Sequence, residues 1–120
     1  MKALLNIFFF IFTIASLASA NAASGYEIKG NAGVMHFVAV DASEANNEDV
    51  YRLAVAEVCS GRAICQVLFW TEDAPNSFPL SDKDADSKRV HWQQNLNTGL
   101  RRWLVDCDSG NLFLNERSCL

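Results

Sequence analysis

Four cysteines and the first twenty residues constrain the fold of this 120-residue chain most strongly. Residues 1–20 combine a lysine at position 2, an apolar run over residues 3–17 and a small-x-small site at 18–20. That is the three-part pattern of a cleaved secretory signal peptide. Export predicts that residues 21–120 mature in an oxidising compartment, where thiols pair. We therefore expect a secreted or periplasmic protein with no stable membrane anchor after cleavage.

The cysteines are Cys59, Cys65, Cys107 and Cys119. Three connectivities are open to them, and the short spacings favour the local pairs Cys59–Cys65 and Cys107–Cys119. Loops of this length stabilise a small domain by roughly 2–3 kcal/mol each on the chain-entropy argument. A structural role is favoured over a redox or metal-binding role, because the sequence contains no C-x-x-C motif and no histidine cluster.

The charge balance narrows the class of partner. The chain has ten basic and fourteen acidic residues. Loss of Lys2 with the leader leaves nine basic residues against fourteen acidic ones, a formal charge of −5. Nucleic acid and anionic lipid both require a basic footprint, so neither is an expected partner. Residues 21–120 have the length of a single small domain, for which no cofactor is indicated.

Local patterns predict four strands, an optional fifth and two helices. The strands are residues 26–29, 34–40, 64–70 and 100–106, with a short antiparallel return at 112–114, and the helices are 48–59 and 81–97. Asn46 or Asn47 caps the first helix and Ser81 caps the second. Glu48 and Arg52 are spaced for an i,i+4 contact on the solvent side of the first helix.

The order of these elements predicts an α/β fold, with α+β as the alternative. Strands that alternate with helices favour parallel neighbours and crossover connections. We expect a two-layer sandwich stabilised by disulfides, in which both helices cover one face of a mixed sheet of four or five strands.

Alternation along the strands predicts which residues the helices leave uncovered. The residues expected beneath the helices are Met35, Phe37, Ala39, Val67, Phe69, Trp103 and Val105, and those on the opposite face are His36, Gln66, Leu68, Trp70, Arg102 and Leu104. The second set mixes aromatic and polar groups, which is typical of a recognition surface. We predict that His36, Gln66, Trp70 and Arg102 bind a protein or a small-molecule ligand. A loop, a terminal segment or a partner chain over this face is the alternative.

Catalytic and metal-binding patterns are weak. The D-x-D-x-D run at 82–86 lacks the glycine and glutamate that a calcium loop requires, so it indicates the acidic first turns of a helix and no metal site. We assign no catalytic residue. A small envelope hydrolase with His36 or His91 as its base remains an alternative hypothesis. A glycan-binding module is another, with Trp92 stacking on a sugar beside the amides of residues 93–97; Trp92 and Leu96 as helix core would exclude it.

Three further motifs resemble a known group of proteins. They are C-x5-C-x-V-x-F-W, formed by Cys59, Cys65, Val67, Phe69 and Trp70, then N-x-N-T-G at 95–99, and W-x-x-D-C at 103–107. Together they resemble a family of small secreted bacterial proteins of unknown function. The resemblance implies export and a small disulfide-bearing α/β domain, and it assigns no activity. The leading hypothesis, based on the uncovered sheet face near Trp70 and Arg102, is a secreted or periplasmic, non-enzymatic module that binds a protein or a small ligand.

Overall fold

The structure, a computed structural model, describes residues 24–120. The predicted signal peptide lies outside the described residues. Within them the elements follow in the order β1 (Tyr26–Ala32), β2 (Met35–Val40), α1 (Glu48–Val58), β3 (Ile64–Thr71), α2 (Asp82–Ser87), β4 (Val90–Asn95), β5 (Leu100–Val105) and β6 (Arg117–Cys119). Single 3-10 turns lie at Ala42–Glu44 and Cys107–Ser109. This is an α+β fold.

All six strands of residues 24–120 form one mixed sheet whose spatial order is the chain order. The pairs β1–β2, β3–β4 and β4–β5 are antiparallel, whereas β2–β3 and β5–β6 are parallel. Helix α1 makes the crossover between the parallel strands β2 and β3, as a parallel connection requires. The mixed sheet is confirmed, with six strands rather than four or five.

Helix α1 forms where its cap and apolar spacing predict it. The side chain of Asn47 accepts a hydrogen bond from the Asp49 amide at 3.1 Å, and acidic residues occupy the first turn. The helix buries Val50, Tyr51, Ala54 and Val58 against the sheet. These positions form one apolar stripe at helical spacing, so α1 covers the face that carries the main hydrophobic core.

The prediction of a second helix over residues 81–97 is wrong in its C-terminal half. Helix α2 ends at Ser87, and Val90–Asn95 is strand β4, between β3 and β5. Alternate residues Val90, Trp92 and Gln94 are buried on the α1 side, which is a period of two and not of 3.6. Valine and tryptophan also favour a central strand. The N-x-N-T-G motif is consequently a hairpin turn, closed by Gly99 at φ +77°.

The predicted antiparallel return at 112–114 is also wrong. Leu112 and Phe113 lie in a turn and pack into the main core, with Phe113 at φ +52°. The last strand is β6, which runs parallel to β5. The segment 106–116 carries the chain back towards the start of β5, so the final strand runs in the same direction as β5.

Strand β2 faces the opposite way from the prediction, whereas β3 and β5 are oriented as predicted. Val38 and Val40 pack in the main core with α1, while Phe37 packs in a second cluster on the far face of the sheet. Five of the six β2 residues are buried. A strand buried on both faces has no polar alternation, so its pattern does not reveal its orientation.

The second cluster explains why the helices do not share one face. Phe37, Leu68 and Trp70 pack there against Ala74 and Leu80 of the segment 72–88. The Trp70 indole Nε1 donates to the carbonyl of Asp84 in α2 at 2.7 Å. Helix α2 therefore lies on the far face, opposite α1, and the expectation of two helices on one face is wrong.

Strand β1 accommodates the covering segment through a glycine. A Cβ at Gly30 would lie 2.4 Å from the backbone oxygen of Asn76, closer than any side chain tolerates. The glycine thus permits direct contact between β1 and the segment 72–88.

Both disulfides are the local pairs that the spacing favoured. Cys59–Cys65 joins the end of α1 to β3, and Cys107–Cys119 joins the turn after β5 to β6. No cysteine in the described part of the chain is free. Within residues 24–120, no helix has both the length and the apolar character that crossing a membrane requires.

Replacing Trp70 should remove the packing that holds the segment 72–88 on the far face. Trp70 is 1% exposed, so Trp70→Ala should lower the free energy of unfolding by about 3–5 kcal/mol in urea denaturation. The exposed Leu96 is a matched apolar control, and Leu96→Ala should change it by less than about 0.5 kcal/mol. Equal effects of the two substitutions would contradict the burial of Trp70.

Candidate functional site

A cleft of about 420 Å³ lies on the α1 side of the sheet. It lies between the C-terminal half of α1, the β4–β5 hairpin and the turn before β6. Its lining residues are Arg52, Val55, Ala56, Cys59, Ser60, Trp92, Gln94, Arg101, Arg102, Trp103 and Glu116. A cleft of this size accommodates a small ligand or a few residues of a peptide.

The cleft is built on a row of three aromatic rings. The ring centroids of Trp92 and Trp103 are 4.6 Å apart, and those of Trp103 and Phe113 are 4.0 Å apart with nearly parallel planes. Trp92 is 5% exposed and Trp103 is 3% exposed. These rings come from β4, β5 and the turn before β6, so their packing fixes three separate parts of the chain around the cleft.

Two guanidinium groups lie over these rings. The Arg52 guanidinium carbon is 4.9 Å from the Phe113 centroid and 5.9 Å from the Trp103 centroid. That of Arg101 is 5.7 Å from the Trp92 centroid. All three distances are typical of cation–π contacts, which hold a guanidinium in place without using its N–H donors.

The partners of the two guanidiniums differ. Arg52 Nη2 forms an ion pair with Glu116 Oε1, and both side chains are close to half exposed. Within residues 24–120, Arg101 forms no hydrogen bond or ion pair in addition to its contact with Trp92. The third arginine, Arg102, donates through Nε to Gln93 Oε1 at 2.6 Å. That interaction directs its side chain to the far face, because Gln93 and Arg102 are register partners there.

The cleft is therefore cationic in a protein with a formal net charge of −4. Two guanidiniums and one carboxylate, Glu116, occupy its rim. Both ends of the Gln94 amide are already engaged, since its Nε2 donates to the carbonyl of Arg62 and its Oε1 accepts from Trp92 Nε1. The unused donors of the cleft are thus mainly those of Arg52 and Arg101.

The far face carries a separate polar cluster around His91. His91 Nε2 is 2.8 Å from Gln66 Oε1, and because that amide oxygen only accepts, Nε2 carries the proton. His91 is 7% exposed. Burial, followed by the charges of Lys88 and Arg102, lowers the pKa of His91 to about 4. The ring is therefore neutral at neutral pH.

The structure does not bring the four predicted binding residues together. Gln66, Trp70 and Arg102 lie on the far face, but His36 is on the α1 side, because its register partner Val67 belongs to the main core. Trp70 lies beneath the segment 72–88 and is closed to a ligand. His36 is buried, its Nε2 has no hydrogen-bond partner in the described chain, and burial and the Arg62 charge lower its pKa.

Neither histidine has the partners of a general base. Among residues 24–120, no carboxylate or hydroxyl is hydrogen-bonded to His36 or His91. In that same range no three histidine, cysteine or acidic side chains converge as a metal site would require.

Sequence reasoning missed Arg52, Arg101 and Glu116. Arg52 was expected to pair with Glu48, but Glu48 Oε1 accepts from the Phe113 amide at 2.6 Å instead. Arg52 contacts Glu116, which is 64 residues further along the chain. The only local signal was the Arg-Arg-Trp run at 101–103, in which alternation places Arg101 and Trp103 on one face.

No family model, curated protein or solved structure matches this chain. Any proposal about function therefore depends on the chemistry of the described residues.

The neutral His91 should make stability depend on pH. Its pKa is about 4 in the folded protein and 6.5 in an ordinary environment. Between these values the unfolded chain binds a proton that folded His91 does not, so the free energy of unfolding should fall as the pH drops from 6.5 to 4. We expect a loss of roughly 2 kcal/mol after solvent screening.

Urea denaturation at several pH values, on wild type and His91→Gln, measures this contribution. The glutamine variant should show a flatter profile in that window, since His36 and the carboxylates titrate in both proteins. Parallel profiles would show that His91 titrates normally when folded.

Proposed function

We propose that the protein is a non-catalytic binding module that holds an anionic group in the cleft between α1 and the β4–β5 hairpin. The observation that carries this proposal is the placement of two guanidiniums over a row of packed aromatic rings, in a cleft whose lining contains one carboxylate, that of Glu116. An anion placed there would receive charge-assisted hydrogen bonds from Arg52 and Arg101, and these are stronger than neutral ones.

The preformed walls of the cleft support the proposal. The disulfide Cys59–Cys65 joins the end of α1 to β3. The hydrogen bond from the Phe113 amide to Glu48 joins the beginning of α1 to the turn before β6. Binding in a cleft with fixed walls costs little conformational entropy. A ligand would need to order only the outer parts of the two arginines.

The geometry favours this function over the two alternative hypotheses. A sugar cannot stack on Trp92 while that ring is 5% exposed and Arg101 lies over it. A hydrolase would need a base with a positioned partner, and His91 is instead paired with Gln66. On the far face, Arg102 donates through Nε to Gln93 Oε1.

We also propose that the protein is exported and matures without its first twenty residues. Two disulfides fit an oxidising compartment. The leader pattern at 1–20 and the resemblance to small secreted bacterial proteins support the same location.

Small anions should bind in the cleft and depend on Arg101. Butyrate, inorganic phosphate and sulfate are suitable probes, with neutral butyramide as the uncharged comparison, and the indole N–H resonances of Trp92 and Trp103 report occupancy. At least one anion should shift these resonances, and Arg101→Gln should weaken that binding at least about tenfold, because a charge-assisted donor is lost.

Lys29→Gln is the matched control for this substitution. It removes one positive charge from an exposed ion pair with Glu27 on β1, away from the cleft lining. If both variants weakened anion binding equally, the loss would be due to the change in net charge and not to Arg101 itself. Unchanged indole resonances with every anion would overturn the proposed function.

Expression with the leader in a bacterial host tests export. The mature protein should begin at residue 21. Its mass should be lower than that of the reduced chain by four hydrogens, since both cysteine pairs are bonded. A cytoplasmic product with its leader intact would contradict the proposed location.

A further inference from the structure

We infer that the anionic group recognised by the cleft is a carboxylate, and that Glu116 occupies its place on Arg52 until the ligand displaces it. This inference rests on the proposed function and names its ligand class. In the ion pair between Arg52 and Glu116, the guanidinium already binds a carboxylate. A carboxylate is a planar acceptor that matches the two-pronged edge of a guanidinium.

Arg52 is held in position independently of Glu116. Its guanidinium lies over the Phe113 and Trp103 rings, which are stacked at 4.0 Å with an interplanar angle of 5°. Removal of the Glu116 carboxylate would leave these ring contacts in place. An incoming carboxylate therefore meets a guanidinium that is already oriented.

The internal carboxylate is easy to displace. The Arg52 and Glu116 side chains are 46% and 48% exposed, so water reaches the pair from the open side of the cleft. An exposed ion pair changes an equilibrium by at most about fivefold. Glu116 thus fills the site without closing it, and a ligand that also contacts Arg101 gains a second guanidinium that Glu116 does not use.

The position of the cleft on α1 favours a carboxylate over phosphate. Val55, Ala56 and Cys59 place the cleft on the C-terminal half of the helix, where the helix dipole is negative. Phosphate sites typically use the opposite end, where free backbone N–H groups point outward. A singly charged carboxylate experiences less repulsion there than a dianion.

The apolar wall indicates what carries the carboxylate. Val55 and Ala56 line the same cleft and offer contact to a short aliphatic stem. Two sources supply this chemistry: a free short-chain carboxylic acid and a glutamate side chain of an acidic peptide. Butyrate represents the first source, and the peptide acetyl-Ala-Glu-Ala-amide represents the second.

Binding of these two probes to wild type, Glu116→Gln and Arg52→Gln tests the inference. Glu116→Gln should bind the carboxylate probes about two- to fivefold more tightly, because the internal competitor is gone. Arg52→Gln should weaken binding at least about tenfold. In wild type, carboxyl-carbon resonances should show Glu116 changing as the probe binds. Glu27→Gln is the matched control, since it removes a carboxylate from an exposed ion pair with Lys29 and should leave affinity unchanged.

The outcomes separate this inference from the function on which it rests. Anion binding that requires Arg101 but is unchanged or weakened in Glu116→Gln overturns displacement and leaves the binding module intact. Tighter binding of inorganic phosphate than of butyrate or the peptide overturns the carboxylate class alone. Absence of binding by any anion to wild type and to Glu116→Gln overturns both. Preference for the peptide over butyrate, with the tighter Glu116→Gln affinity, supports an acidic peptide ligand, and the reverse preference supports a free acid.

Discussion

The packing of Trp92, Trp103 and Phe113 is the interaction on which the α1 side of the structure depends. It joins two neighbouring strands to the turn before β6, and the Phe113 amide extends this connection to α1 through Glu48. The disulfide Cys59–Cys65 fixes the other end of the helix. Helix, hairpin and turn are therefore held at three points around the cleft, so its shape follows from core packing and requires no ligand.

The far face is covered by a different and weaker means. Helix α2 has six residues and buries none of them. Its segment is retained by Ala74 and Leu80, by the ring of Phe78 edge-on to Phe37, and by the bond from the Trp70 indole to Asp84. A cover with so few buried apolar contacts should open at a lower free energy than α1, which buries four side chains. We therefore expect the two faces of the sheet to differ in rigidity, with the cleft on the more rigid side.

Sequence reasoning succeeded where local signals and packing agree. Asn47 caps α1, an apolar stripe follows, and the helix forms as predicted, as does β3 beside it. The prediction for the segment 90–97 was wrong because the Ser81 cap indicates that a helix begins there but not how long it is. Val90–Asn95 is a strand because it pairs with both of its neighbours, β3 and β5. Burial of β2 on both faces removed its orientation signal, which placed His36 on the wrong side. The contact between Arg52 and Glu116 spans 64 residues and exists only once the aromatic rings are packed.

The charge distribution explains why a cationic cleft in an acidic protein would favour a ligand with a single negative charge. Acidic residues such as Asp82, Asp84 and Asp86 lie on or beside α2, on the opposite face of the sheet. At physiological ionic strength a charge is screened beyond about 8 Å, so these carboxylates scarcely weaken attraction inside the cleft. A polyanion long enough to leave the cleft would be repelled by the net negative charge of the protein. A single carboxylate on a short stem gains the local attraction of Arg52 and Arg101 without that repulsion.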